Sequence, residues 1–149
     1  MRASKNCIDL IKRFEGLKLE SYLCPAKIWT IGYGHTGKTV IEGLKITETE
    51  AEMLLGIDLD RFERFLNGLY LRLNQNQFDA LISFIYNIGN GNFLKSTMLK
   101  KIKIDPDDLS IRIEFNKWTK AKGKTLTGLI TRRNAEAELY FKDVIPNKL

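Results

Sequence analysis

Apolar residues recur at the spacing of one helix face from the start of the chain. Cys7, Leu10, Ile11 and Phe14 stand at i, i+3, i+4 and i+7, with Lys5, Asp9, Lys12 and Arg13 on the other faces. The pattern predicts a helix over residues 4–15, stopped by Gly16. Glu15 closes it beside the apolar stripe, where a carboxylate can be partly desolvated. From Leu17 to about Val40 the period changes. β-Branched and aromatic residues, Pro25, and Gly32, Gly34 and Gly37 predict a small, irregular β-hairpin region. Thr47 followed by Glu50 is a capping-box signal, and Met53, Leu54, Ile57, Phe62 and Phe65 carry a helical pattern to about Leu66. A helix of about 20 residues is roughly 30 Å long, enough to join two lobes.

The second half reads as helical blocks. "NQNQFDALISFIYNIG" ends at Gly89, "FLKSTMLKKIK" follows, and "DPDDLSIRIEFNKW" opens with Asp105 as N-cap and Pro106 at the first helical position. A last helix runs from about Thr127 to Phe141 with Leu129, Ile130, Ala137, Leu139 and Tyr140. No repeat, low-complexity linker or heptad interrupts the chain. The expected fold class is α+β, mainly α: one domain over residues 1–149, divided into a small α/β lobe (about 1–46), a connecting helix (47–66) and a helical lobe (67–149).

Composition narrows the function classes. Hydrophobic residues make up 44% and charged ones 28%, ordinary globular proportions that exclude disordered and fibrous classes. No apolar run approaches the roughly 20 residues of a membrane span, and "MRASKNCIDLIKRFEG" lacks the continuous apolar segment of a secretory signal, so neither membrane insertion nor export is expected. The net charge of +6 favours an anionic partner: nucleic acid, anionic lipid or bacterial wall polymer. Lys117, Lys120, Lys122 and Lys124 surround Trp118, and Lys100, Lys101 and Lys103 form a second cluster. No nucleic-acid motif accompanies them, so a solvated basic face attracted to wall polymer is the expectation, and nucleic acid is not. Cys7 and Cys24 are too few for a disulfide framework; with Cys7 on the apolar stripe, reduced thiols are expected, the rival being a Cys7–Cys24 redox switch. A single histidine and the lack of any ligand-spaced cluster point to no metal and no cofactor.

The chemistry-bearing residues concentrate in "FEGLKLESYLCPAKIWTIGYGHTG", residues 14–37. An acid at a helix end, facing a polar hairpin across a cleft, suits a glycosidase that must keep a proton available at neutral pH. An isolated glutamate there is ordinarily only a surface residue, and the spacing decides otherwise. Glu15, eight residues, Cys24, five residues, Thr30, then "IGYGHT" resembles the signature of the phage T4-type lysozymes, the endolysin muramidases. "LNQNQFDALISFIYNIGNGNF" and "FNKWTKAKGKTLTGLITRRNAEAELY" resemble family segments of the helical lobe, so the likeness covers about Ser4 to Tyr140.

The resemblance implies a lysozyme-like two-lobed fold and hydrolysis of the β-1,4 bond between N-acetylmuramic acid and N-acetylglucosamine in peptidoglycan. It implies that Glu15 protonates the leaving oxygen and that Thr30 helps to hold the attacking water. Cys24 stands where many members have aspartate and some cysteine. An unperturbed thiol is only a few per cent ionised at pH 7, and a neighbouring carboxylate pushes it higher. Two roles stay open: the thiol orients water, the favoured one, or the thiolate attacks the anomeric carbon. By the same resemblance His35 pairs with Asp58 on the long helix as a structural tie, Tyr86 and Asn87 face the cleft as substrate contacts, and one of Arg132 and Arg133 approaches Glu15. An arginine close to Glu15 works against its role as an acid, so that contact must be loose, or loosen when substrate binds. "GYGHTG" lacks the Lys-Ser/Thr ending of a nucleotide loop. Glycan strands are the implied partner, a holin the implied route from the host cytoplasm to the wall, and a monomer the implied state. The rival from another class is a glycan-binding protein that kept the cleft and lost the chemistry.

Overall fold

The structure, a computed structural model, describes residues 1–145; the last four residues of the expected helical lobe lie outside the described residues. Its elements run α1 (Lys5–Glu15), β1 (Lys18–Leu23), β2 (Trp29–Gly32), β3 (His35–Thr36), α2 (Glu48–Asn67), α3 (Gln75–Ile88), α4 (Asn90–Lys95), α5 (Thr97–Ile104), α6 (Ile111–Asn116), β4 (Lys120–Ala121), β5 (Lys124–Thr125) and α7 (Thr127–Tyr140). The fold is mainly helical with two small antiparallel sheets, one ordered β1-β2-β3 and one of β4 and β5.

Helix α1 buries Cys7 and Ile11, the centre of its apolar stripe. Its entry is held by acids from two other helices: Ala3 N donates to Glu63 Oε1 of α2 at 2.8 Å, and Ser4 N donates to the fully buried Asp79 Oδ1 of α3 at 2.9 Å. Its exit is set by Gly16, whose φ of +71° lets the chain turn sharply into β1. Both ends fixed, α1 presents Glu15 at the junction of sheet and helices. The β1–β2 ladder carries a bulge between Lys18 and Tyr22 and then pairs Tyr22 with Thr30 and Leu23 with Trp29.

The Thr47–Glu50 capping box is present, and α2 spans the 20 residues that the pattern predicts. Its buried face is Ala51, Leu55, Asp58, Leu59, Phe62, Glu63 and Leu66, whereas Met53 and Ile57 of the apolar pattern point to solvent. The helix packs on β2 and β3 at one end and on α3 at the other. Helix α3 is the centre of the larger lobe: Phe78 and all residues from Ala80 to Ile85 are buried, against α7, α1 and α2.

Three expectations in the helical half are corrected. The block around "FLKSTMLKKIK" is two helices, broken at Ser96, which turns to extended backbone and accepts Leu99 N on its hydroxyl to start α5. Asp105 does not cap a helix at Pro106. Its side chain accepts Asp107 N two residues on, Asp108 does the same for Ser110, and these local turns delay α6 to Ile111. "AKGKTL" contains the short β4–β5 hairpin, turned by Lys122 and Gly123, both at positive φ.

Candidate active site

Glu15 enters the site as the last residue of α1, with its side chain one-fifth exposed. Across from it, the turn between β2 and β3 brings Gly34 so close that a Cβ there would lie 2.9 Å from Glu15 Oε2. Gly34 also has φ of +82°, a conformation that L side chains rarely adopt, and a Cβ here would push the flexible end of Glu15 aside. Tyr86 of α3 stands beside it and donates its hydroxyl to Tyr33 O at 2.5 Å, tying the turn to the helical lobe. Burial, with Asp58 and Glu15 nearby, keeps the Tyr86 phenol protonated far above the usual tyrosine range.

The other side of Glu15 is an arginine pair on α7. Arg132, almost wholly buried, donates from Nη1 to Glu15 Oε1 at 2.7 Å, from Nη2 to Ser83 O at 3.0 Å and from Nε to Glu136 Oε2 at 3.3 Å. Arg133 turns away from Glu15. It donates to Glu136 Oε1 and to Asn87 Oδ1, and from Nε to Trp118 O at 2.9 Å. Ser83 Oγ completes the cluster by donating to Glu136 Oε2 at 2.6 Å. Of the two arginines, the structure thus brings Arg132 to Glu15 and gives Arg133 to Asn87.

Cys24 opens the β1–β2 turn: its N–H donates to Ile28 O at 3.0 Å and its carbonyl accepts Lys27 N at 2.8 Å. The main-chain N–H of Ile28 acts foremost to hold the half-buried thiol below the ordinary thiol range, with burial opposing and Ala26 N–H and the Thr30 hydroxyl assisting. This corrects the expectation of a thiol raised by Glu15. Thr30, buried on β2, has its hydroxyl 3.0 Å from Ile28 O and within reach of the Cys24 thiol; its one proton serves either, and its oxygen is free to accept. Tyr22, opposite Thr30 in the sheet, stands where both Glu15 and Cys24 act on it; burial first, then those two groups, raise its phenol. His35 Nδ1 lies 2.8 Å from Asp58 Oδ2, and both side chains are largely buried. Cys7 and Cys24 are both free thiols; Cys7 lies in the core, where burial pushes its thiol far up.

The open space follows this arrangement. A hollow of about 360 Å³ is lined by Phe14, Glu15, Asn87, Leu129 and Arg132, and it shares Asn87, Leu126 and Leu129 with one of about 390 Å³ that reaches Asn92, Trp118 and Lys120. On the Gly34 side a third, about 260 Å³, is lined by Thr36, Asp58, Arg61, Phe62 and Tyr86. The first two, through their shared lining, form a groove that passes Glu15, and the third opens separately beside Gly34 and Tyr86. A more apolar hollow between the sheet and α2, lined by Ile31, Leu44, Met53 and Ile57, does not contain Glu15; Cys24 lines none of these four hollows. Among the described residues no group of three or more His, Cys, Asp or Glu is placed to hold a metal ion, and no helix is long and apolar enough to cross a membrane.

Glu136, Ser83 and Gly34 are the site residues that sequence reasoning missed. Glu136 carries a signal in retrospect, three and four residues after the two arginines, the spacing of helical ion pairs.

The chain is similar to known proteins over most of its length. The model of the family described as phage lysozyme matches residues 12–136. An endolysin of Acyrthosiphon pisum secondary endosymbiont phage 1 is 45% identical over 145 residues, covering 94% of this chain and 98% of its own. An endolysin of Bacillus phage PZA is 41% identical over 143 residues; the match covers 94% of this chain and only 55% of that longer protein. Among solved structures, an endolysin from Escherichia coli O157:H7 phage FAHEc1 superposes with a TM-score of 0.84 at 39% identity, covering 99% of this chain and 98% of that one.

Proposed function

We propose a muramidase mechanism on one premise: the chain belongs to the phage lysozyme family and is a glycoside hydrolase of the lysozyme type. The proposed reaction is hydrolysis of the β-1,4 bond between N-acetylmuramic acid and N-acetylglucosamine in peptidoglycan. The observation that carries it is the setting of Glu15, an acid at a helix end in the middle of a groove, pressed between Gly34 and Arg132.

In this reading Glu15 is the general acid. A carboxyl that gives its proton to the leaving oxygen must be protonated when substrate is bound, and the Arg132 contact favours the carboxylate, so that contact loosens as the sugar takes its place. Cys24 and Thr30 position the attacking water. With its thiol held below the ordinary range, Cys24 has a larger thiolate fraction than a free cysteine and can draw a proton from that water, while the Thr30 oxygen accepts a second one in a hydrogen bond. Asn87, with one amide oxygen fixed by Arg133, and Tyr86, rigidly held, present the large-lobe wall to the N-acetyl groups and sugar faces. The His35–Asp58 pair ties the sheet to α2. The reading extends to an enzyme that acts as a monomer, waits in the host bacterial cytoplasm and reaches the wall once a holin opens the membrane.

The test is mass-spectrometric analysis of fragments released from purified peptidoglycan, with Glu15→Gln beside the parent. Muropeptides with reducing N-acetylmuramic acid ends, falling by roughly 10²- to 10⁴-fold in the variant, are expected. Wall binding without release sinks the mechanism in favour of a glycan-binding cleft. The anomeric form of the first product then decides Cys24: inversion fits water activation, retention fits attack by the thiolate.

A further inference from the structure

Resting on that reading, we propose that Glu136 is a positioning residue of the active site. Held between Arg132 and Arg133, it sets how much of the Arg132 charge is presented to Glu15, and through Arg133 it fixes the substrate-facing Asn87.

The geometry is that of a shared cation. The three nitrogens of Arg132 point three ways: to Glu15, to the Ser83 carbonyl and to Glu136. Two carboxylates therefore divide one guanidinium, one at the mouth of the groove and one fully buried behind it. Arg133, also fully buried, balances the second carboxylate and spends its remaining donors on Asn87 and the Trp118 carbonyl. The cluster holds two cations and two anions; Glu15 and Arg132 line the groove, and Arg133 and Glu136 lie behind them.

Neighbouring ionisable groups do not duplicate the role of Glu136. Facing Glu15 are Tyr22 from β1, Tyr86 from α3 and Arg132 of α7, while Arg133, turned away, acts on it only through its charge. Facing Glu136 are Ser83 from α3, the same arginines, and Cys7 from α1. Asp79 of α3 and Glu63 of α2 bind the start of the chain, Glu114 of α6 binds Lys101 and Lys117, and Glu138 on the outer face of α7 binds Arg112. Burial pushes the Glu136 carboxyl up, against Arg133, Arg132 and Ser83, which all favour its charge. The charged form prevails, because a neutral Glu136 would leave buried Arg133 with no anionic partner among the described residues.

Removing the Glu136 charge leaves Arg132 with Glu15 as its sole carboxylate partner among the described residues. The carboxylate form of Glu15 is then favoured and its proton becomes scarcer at neutral pH. Removing Arg133 along with Glu136 restores the charge balance around Arg132 while deleting both side chains, which separates an electrostatic role from a packing one.

The experiment is a ¹³C-carboxyl NMR titration of Glu15 and Glu136 in the whole chain. It compares the parent, Glu136→Gln, and the double variant Glu136→Gln with Arg133→Gln, each paired with the pH profile of kcat/KM. Expected is a Glu15 midpoint lower by about one pH unit in Glu136→Gln, the scale of a unit charge across one guanidinium at an effective dielectric near 20. The alkaline limb of activity moves down with it, and the double variant recovers the limb while showing a raised KM from the loss of the hold on Asn87. In the parent, Glu136 stays ionised throughout the range in which Glu15 titrates. The proposal is overturned by an unmoved Glu15 midpoint, by single and double variants shifted alike, or by a parent Glu136 that takes a proton before Glu15. The last reading needs no variant to fold. A parent without muramidase activity would sink the function proposed above, yet the NMR titration would still decide the role of Glu136.

Discussion

The two walls of the groove are held by different means. On the helical side, Glu15 leans on Arg132, which leans on Glu136 and Ser83, and Arg133 carries the chain on to Asn87; all but Glu15 and Asn87 are buried side chains. On the sheet side, the decisive groups belong to the main chain: Ile28 N–H governs the Cys24 thiol, Ile28 O takes the Thr30 hydroxyl, and Gly34 has no side chain at all. The two cysteines report the contrast. Cys7, under the helical wall, has a thiol pushed far up by burial, whereas that of Cys24, on the sheet wall, is held down.

If that contrast is right, the largest loss of stability comes from the helical wall. Arg133→Met leaves Glu136 with half its pairing in a dry site, and breaking a buried pair costs about 3–5 kcal/mol, readable as a lowered urea midpoint. Gly34→Ala strikes between the walls. Its positive φ costs roughly 1–2 kcal/mol, and the displaced Glu15 carboxylate lowers kcat/KM by about 10²-fold, measured on purified peptidoglycan. An unchanged rate there would break the idea that Glu15 is set by contact from the sheet side.

Cys24→Asp sharpens the comparison, since it changes chemistry with little change in packing: stability is expected to hold within about 0.5 kcal/mol. If Cys24 is the base, activity on the acid side falls as its thiol is protonated. The limb already lies below an ordinary thiol because Ile28 N–H favours the thiolate, and an aspartate moves it further down. A pH profile that ignores the exchange removes Cys24 from the proton transfer. At neutral pH a thiol reagent modifies Cys24 alone, and Cys7 reacts only after unfolding; mass analysis of the labelled peptides checks both. The smallest effect is expected at the rim, where Lys122 donates to Pro25 O at 3.2 Å: Lys122→Ala shifts stability by no more than about 0.5 kcal/mol.

Legibility followed the same division. The helices α1, α2, α3 and α7 were plain from apolar spacing, a capping box and terminal glycines, because these are local signals acting over one or two turns. The break at Ser96 and the late start of α6 were hidden, since serine and aspartate side chains can serve a helix cap or a competing turn, and the choice depends on what packs behind them. Arg132 and Arg133 read as interchangeable neighbours, yet successive helical residues point about 100° apart, so one reached Glu15 and the other Asn87.

By itself, then, the amino-acid order determined α1, α2, α3 and α7 and the spacing of Glu15, Cys24 and Thr30 that resembles the family signature, because each depends on residues near one another along the chain. Only the tertiary structure decided which arginine meets Glu15, that the Glu15 carboxylate lies against Gly34, and that a buried Glu136 stands behind both arginines. Those facts arise where α1, α3, α7 and the sheet meet. Proximity there is set by packing, and the charge state of each group depends on neighbours up to 117 positions away in the chain.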